Sequence, residues 1–314
     1  MRKPSEFTWI TLLLAGVWFL TACSQAAGSP LDSSKLQIVA TTTIVGDVVA
    51  QVGGDHIELS LLLPVGTDPH SFEPRPQDIA KVAGSQVVFA NGAGLEPFLE
   101  NLLASAEALD RVVYVSEGIA YRASEEDGHQ DHEHQDHAEV DPHTWMDPNN
   151  VMLWVQRIEE ALSEADPARA EEYRCNAQDY LDELKKLDAW IRQQTARVPL
   201  ENRKLVTDHA LFGYFADTYG FEQIGALVPG YSSMAEPSAQ ELAQIEDAIR
   251  AYGVKAVFVG NTVNPTLAER VAEDTGVELV FVYTGSLSEP GGEAGSYLDY
   301  MRYNVAAFVN ALLP

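Results

Sequence analysis

Cysteine is nearly absent from this 314-residue chain, which contains Cys23, Cys175 and no others. So few thiols cannot furnish a cysteine zinc cage or a disulfide framework, and packing has to carry the stability. Basic side chains are scarce as well: 20 Lys and Arg stand against 47 Asp and Glu, for a formal net charge of −27. Such a surface repels phosphate backbones and attracts cations, which argues against nucleic acid as a partner. Long apolar runs are missing. The stretch from Trp9 to Leu20 is interrupted by Thr11 and Gly16 and is too short for a membrane span. Neither His-Glu-x-x-His nor Gly-x-Ser-x-Gly occurs, so the sequence carries no familiar hydrolase signature.

What is present begins with an address. Arg2 and Lys3 precede the apolar stretch, the pattern of a signal peptide over residues 1–22. It ends in Leu20-Thr21-Ala22-Cys23, and small residues directly before a cysteine resemble the bacterial lipobox, in which that cysteine is lipidated and becomes the mature N-terminus. Cys23 is the expected lipidation site, which leaves Cys175 without an intramolecular partner. Residues 23–34, mostly Ser, Gln, Ala, Gly and Pro, read as a tether. The expectation is an exported monomer, lipid-anchored to the cell membrane and facing the periplasm or the cell exterior.

At roughly 150 residues per domain, the remaining length suggests two domains. β-rich runs at residues 36–42, 57–63, 86–90, 112–115, 205–208, 256–260 and 277–283 alternate with helical patterns, which predicts an α/β fold with mainly parallel sheets flanked by helices. Residues 168–197 break the rhythm. There Tyr173, Ala177, Tyr180, Leu181, Leu184, Leu187 and Ile191 recur at helical spacing and define one apolar face. Asp166 is the predicted cap, Pro167 suits the first turn, and Pro199 stops the helix. About 30 residues at 1.5 Å each extend about 45 Å, enough to traverse a small domain. The predicted organisation is an N-terminal lobe over residues 35–166, a linking helix over 167–199 and a C-terminal lobe over 200–314.

Histidine is concentrated in a few places. His129, His132, His134 and His137 lie among seven acids in residues 125–139, a stretch too polar to bury a core and expected to be a mobile loop that binds metal weakly. Of the others, His70 sits in Gly66-Thr67-Asp68-Pro69-His70-Ser71-Phe72-Glu73-Pro74 after a predicted strand. His143 sits in Asp141-Pro142-His143-Thr144-Trp145-Met146-Asp147-Pro148, and His209 in Thr207-Asp208-His209-Ala210-Leu211-Phe212-Gly213 at a strand-to-helix junction. Ligand sites on open α/β sheets form at the carboxyl ends of strands, where the reading puts His70 and His209. The adjoining prolines restrict the backbone around His70 and His143. His56 has no such company.

These segments resemble those of the metal-binding receptors of bacterial ABC importers, the cluster A-I solute-binding lipoproteins of zinc and manganese uptake. Glu236-Pro237-Ser238 and Tyr297-Leu298-Asp299-Tyr300-Met301-Arg302-Tyr303-Asn304 share in the resemblance, as does a His-rich stretch between the first two ligands. It implies two α/β lobes joined by one long rigid helix, a metal held between them by His70, His143 and His209, and delivery to an ABC permease in the cytoplasmic membrane. The sequence departs from the family pattern at Gly285, where a carboxylate ligand is usual, and at Gly260, where a glutamate is familiar. Glycine offers no donor atom, so the expected set is three histidines and an open position. Nitrogen donors favour zinc, whereas manganese prefers hard oxygen ligands. The implied function is a zinc receptor. The alternatives are a manganese or iron receptor of the same family, a three-histidine zinc hydrolase or hydratase, and a metal buffer or adhesin.

Overall fold

Short strands whose residues alternate between two buried faces set the framework. In the computed structural model, which describes residues 35–123 and 140–314, the chain runs β1 (Leu36–Ala40), α1 (Thr43–Gly53), β2 (Ile57–Leu61), α2 (Pro76–Ala83), β3 (Val87–Ala90), α3 (Leu99–Ser105), β4 (Val112–Tyr114), α4 (Pro148–Ala165), α5 (Ala170–Thr195), β5 (Lys204–Thr207), α6 (Gly213–Tyr219), β6 (Glu222–Ala226), α7 (Ala239–Tyr252), β7 (Ala256–Gly260), α8 (Thr266–Thr275), β8 (Glu278–Val282) and α9 (Tyr297–Leu312). The strands form two four-stranded sheets, ordered β2-β1-β3-β4 and β6-β5-β7-β8, with every pairing parallel. Parallel sheets need cover on both faces, and the side chains divide accordingly. Ile38, Ala40 and Phe89 enter one core while Val39 and Val88 enter another with α2 and α3. In the second sheet Leu205, Ala256 and Phe258 join the first core, and Val206, Val257 and Val259 pack with α7 and α8.

That first core runs from one lobe to the other, and helix α5 is its spine. Tyr173, Ala177, Tyr180, Leu184, Leu187 and Ile191 are all buried there, and α5 packs on α1 and α4 of the first lobe and on α6 and α9 of the second. At 26 residues the helix extends about 39 Å. Its start differs from the prediction: Asp166 does not cap it. The carboxylate of Asp166 accepts from Arg169 Nη1 at 2.9 Å, a short 3₁₀ turn covers Pro167–Arg169, and α5 begins without a side-chain cap. Asp166 instead ends α4, its backbone N–H bonding Leu162 O.

Strand β6 was not anticipated. Its sequence, Glu-Gln-Ile-Gly-Ala, has one β-branched residue, and it forms because it can pair with β5 at the sheet edge under α7. A Cβ at Gly225 would meet Ile245 Cδ1 at 2.4 Å, so glycine lets α7 sit directly on the strand. Residues 1–34 and 124–139, with the expected signal peptide, lipidation site Cys23, expected tether and the clustered histidines, lie outside the described residues. Among the described residues no helix is long and apolar enough to cross a membrane.

Candidate metal centre

His70 follows β2 and His209 follows β5, both beyond the carboxyl ends of their strands, as the sheet rule predicts. His143 is not delivered by a strand. It lies just before α4, and its loop is pinned by Asn91 Nδ2 donating to Pro142 O at 2.9 Å and by Ser116 and Thr144, whose hydroxyls are 2.7 Å apart. The second lobe grips the same loop: Tyr297 OH donates to Trp145 O at 2.8 Å, and Trp145 Nε1 donates to Tyr300 OH at 3.1 Å.

The three imidazoles converge. His143 Nε2 lies 3.3 Å from His70 Nε2 and 3.3 Å from His209 Nε2. His143 and His209 are 2% and 4% exposed, and His70 is half-buried. Among the described residues these three form the one cluster of ligand-type side chains with donor atoms within 4.8 Å of one another. They line a cavity of about 10 Å³ together with Asp68, Trp145, Thr262, Thr284 and Gly285, which is room for a single water-sized occupant. His56 is elsewhere, edge-on to Tyr173 at 6.1 Å.

Each ligand-type histidine has an aspartate one or two residues before it, and these aspartates escaped the sequence reading. Asp141 Oδ1 accepts from both His143 N at 3.0 Å and His143 Nδ1 at 2.8 Å. Asp208 Oδ1 accepts from His209 N and His209 Nδ1, each at 2.6 Å. Asp68 Oδ1 accepts from His70 N at 3.1 Å. Asp-Pro-His occurs twice, at residues 68–70 and 141–143, and in each case the aspartate closes a turn over the proline. The carboxylates put the ring protons of His143 and His209 on Nδ1, so that Nε2 carries the lone pair that faces the cavity.

Burial, with His209 nearby, lowers the His70 imidazole to about 4, and burial beside His209 and His70 drives His143 well below the usual histidine range. Both rings are therefore neutral at pH 7, the form that binds a cation. Burial pushes Asp141 up to about 7, opposed by the His143 N–H and by Arg122. A dication in the cavity adds the positive charge that favours its ionised form.

No carboxylate completes the cluster among the described residues. Glu236 and Glu289 are exposed. Gly285 does line the cavity, and a Cβ there would lie 2.9 Å from Pro69 Cδ. Gly260 has a different role: a Cβ would fall 2.1 Å from Thr284 Oγ1 and 2.8 Å from Asp208 Oδ2, and its backbone N–H donates to that Asp208 oxygen at 2.6 Å. The space a longer side chain would fill is occupied by the anchor of His209.

The lobes meet around this centre. Gly66 N donates to Ser286 Oγ at 2.9 Å, Leu287 N donates to Thr43 Oγ1 at 2.9 Å, and Ser233 donates to Asp68.

Comparison with known proteins gives the same picture. A family profile described as zinc-uptake complex component A, periplasmic (ZnuA) matches residues 38–311. The manganese-binding lipoprotein MntA of Halalkalibacterium halodurans is 33% identical over 313 residues, 99% of each chain. The iron-binding protein YfeA of Yersinia pestis is 31% identical over 309 residues, 97% of this chain and 96% of that one. Among solved structures, the periplasmic zinc-binding protein TroA of Treponema pallidum aligns with a TM-score of 0.81 at 27% identity, covering 89% of this chain and 100% of that one. Members of the matching family are solute-binding receptors and not enzymes, which removes the hydrolase alternative. Matched by that profile over nearly all its described length, the chain belongs to the ZnuA family, the metal-binding substrate receptors of ABC importers.

Proposed function

We propose that the chain captures zinc, in preference to manganese, through His70, His143 and His209 and hands it to the permease of an ABC importer. The observation that carries this reading is the convergence of three imidazole nitrogens with no carboxylate among them. Tetrahedral zinc with bonds of about 2.0–2.1 Å spaces its nitrogens by about 3.3–3.4 Å. The separations of 3.3 Å from His143 Nε2 to its two neighbours match that spacing without rearrangement. The fourth position is left to solvent, which zinc accepts.

Manganese or iron is the second reading, favoured by the names of the relatives from H. halodurans and Y. pestis. The donor set weighs against it, since harder ions prefer oxygen ligands. In the same proposal residues 1–22 direct export, Cys23 carries the lipid, residues 23–34 tether a monomeric receptor outside the cytoplasmic membrane, and the lobes divide at residues 167–199. His129, His132, His134 and His137 form a weak capture strip.

Alanine at His70, His143 or His209 is expected to weaken zinc binding by more than the roughly 10–100-fold typical of residues that only support a ligand. His56→Ala is the control and keeps the parental affinity. Competition titration decides it, and near-parental affinity in all three variants rejects the site.

A further inference from the structure

The aspartates behind the histidines are restrained in different ways. Asp208 Oδ2 is held by the backbone N–H of Gly260 at 2.6 Å, and Asp68 Oδ2 by the hydroxyls of Ser71, at 3.3 Å, and Ser233. The outer oxygen of Asp141 has neither. The side chain of Asp141 is wholly buried, and its Oδ2 has no hydrogen-bond partner among the described residues. It faces Arg122 Nε at 3.7 Å, an atom that also lacks a hydrogen-bond partner among the described residues. The guanidinium is the ion-pair partner of this buried oxygen and holds the Asp141 side chain in place behind His143.

Arg122 is fixed from the opposite lobe. Its Nη1 donates to Gly213 O at 3.0 Å and pairs with Asp217, both on helix α6. Tyr214, the next residue of that helix, donates from its hydroxyl to Asp141 O at 3.0 Å and accepts from Arg122 N at 3.2 Å. Gly213 makes the arrangement sterically possible, because a Cβ there would lie 2.6 Å from Arg122 Nε and 2.8 Å from Asp141 Oδ2. The result is a continuous chain of charge and contact: α6, Arg122, Asp141, His143, and then the cavity.

We propose that Arg122 is a positioning residue for the metal, holding the Asp141 carboxylate against His143 Nδ1 and tying that pair to helix α6 of the opposite lobe. The proposal rests on His143 being a ligand. With the guanidinium in place, the His143 ring is orientated through Asp141, and the strap to α6 has to slacken before His143 can swing away from a bound ion. Metal retention is thereby linked to how the lobes are held together at a point outside the ligand set. Lysine cannot replace this function fully, since a single ammonium does not present the planar fork that reaches Gly213 O, Asp217 and Asp141 together.

The test uses the full chain with zinc alone, measuring affinity by chelator competition and release by stopped-flow chelator capture. Arg122→Gln is expected to weaken zinc by about 10–100-fold, expressed mainly as faster release, with Arg122→Lys intermediate. Asp141→Asn should weaken binding similarly, and adding Arg122→Gln to it should cost nothing further, because Arg122 acts through Asp141. Additive losses would mean a merely structural role and overturn the proposal, as would affinity and release within about two-fold of the parent in Arg122→Gln. If Arg122→Gln fails to fold, Gly213→Ala displaces the same guanidinium with one methyl group and must give the same non-additivity with Asp141→Asn. His143→Ala separates the two claims. Should it bind zinc normally, the ligand assignment fails and this proposal falls with it; should it lose zinc while Arg122→Gln does not, this proposal alone fails.

Discussion

Asp208→Asn probes the centre without touching a ligand. The Asp208 carboxylate accepts three hydrogen bonds of 2.6 Å, from His209 N, His209 Nδ1 and Gly260 N, in a buried setting. Alanine would strand all three donors. At about 1–3 kcal/mol each, the sum approaches the 5–15 kcal/mol that holds a typical domain together, so loss of fold would obscure loss of binding. Asparagine keeps one oxygen for His209 and sets an NH₂ group against the remaining N–H. It removes the negative charge that makes the His209 ring a better donor while keeping the shape. The expected result is a 10–100-fold fall in zinc affinity, or about 1.4–2.7 kcal/mol, with a smaller change in the melting of the metal-free protein. Chelator-competition titration measures the first and calorimetric melting the second. An affinity within about two-fold of the parent, in a normally folded variant, would refute the claim that Asp208 acts on the metal through His209.

Gly285→Asp restores an oxygen donor to the cavity wall, at the cost of pressing on the Pro69 ring 2.9 Å from the new Cβ. That steric cost applies to every metal and cancels in a ratio, so the manganese-to-zinc affinity ratio should rise; an unchanged ratio would mean that residue 285 does not reach the ion. Deleting residues 125–139 should leave one tight zinc per molecule in calorimetry and remove the weak additional equivalents; loss of the tight site would place a primary ligand in that segment. The metal-free protein should gain stability as pH rises from about 4 to about 6.5. His70 titrates at about 4 when folded but near 6.5 when free, so the unfolded chain binds the extra proton across that window and none above it. Melting temperatures from pH 4 to 7 should show a shallower slope in His70→Gln; identical slopes would contradict the lowered value.

The strand-and-helix alternation could be read directly because parallel strands buried on both faces are near-continuous apolar runs, as in Val-Val-Phe-Ala of β3. Strand β6 was illegible for the opposite reason: an edge strand with Gly225 under Ile245 is selected by packing that no local pattern expresses. Asp166 misled because it is the single residue between α4 and the 3₁₀ turn that precedes α5, and its side chain turned to Arg169. His70 and His209 were legible from strand ends, whereas His143 follows no strand and stood out only through its motif. Asp68, Asp141 and Asp208 could have been found, since an aspartate precedes each of the three histidines at short range. Arg122 could not: its partners Gly213 and Asp217 lie more than 90 positions away in the sequence.

The central claim is a zinc-selective site built from three histidines. Its most direct test is to purify the protein without chelator or affinity tag, offer zinc and manganese at equal concentration, and determine by elemental analysis which ion stays bound. The account predicts one tightly held zinc per molecule, lost when His143 is replaced by alanine, and no retained manganese. Protein that keeps manganese in the presence of equal zinc would contradict it.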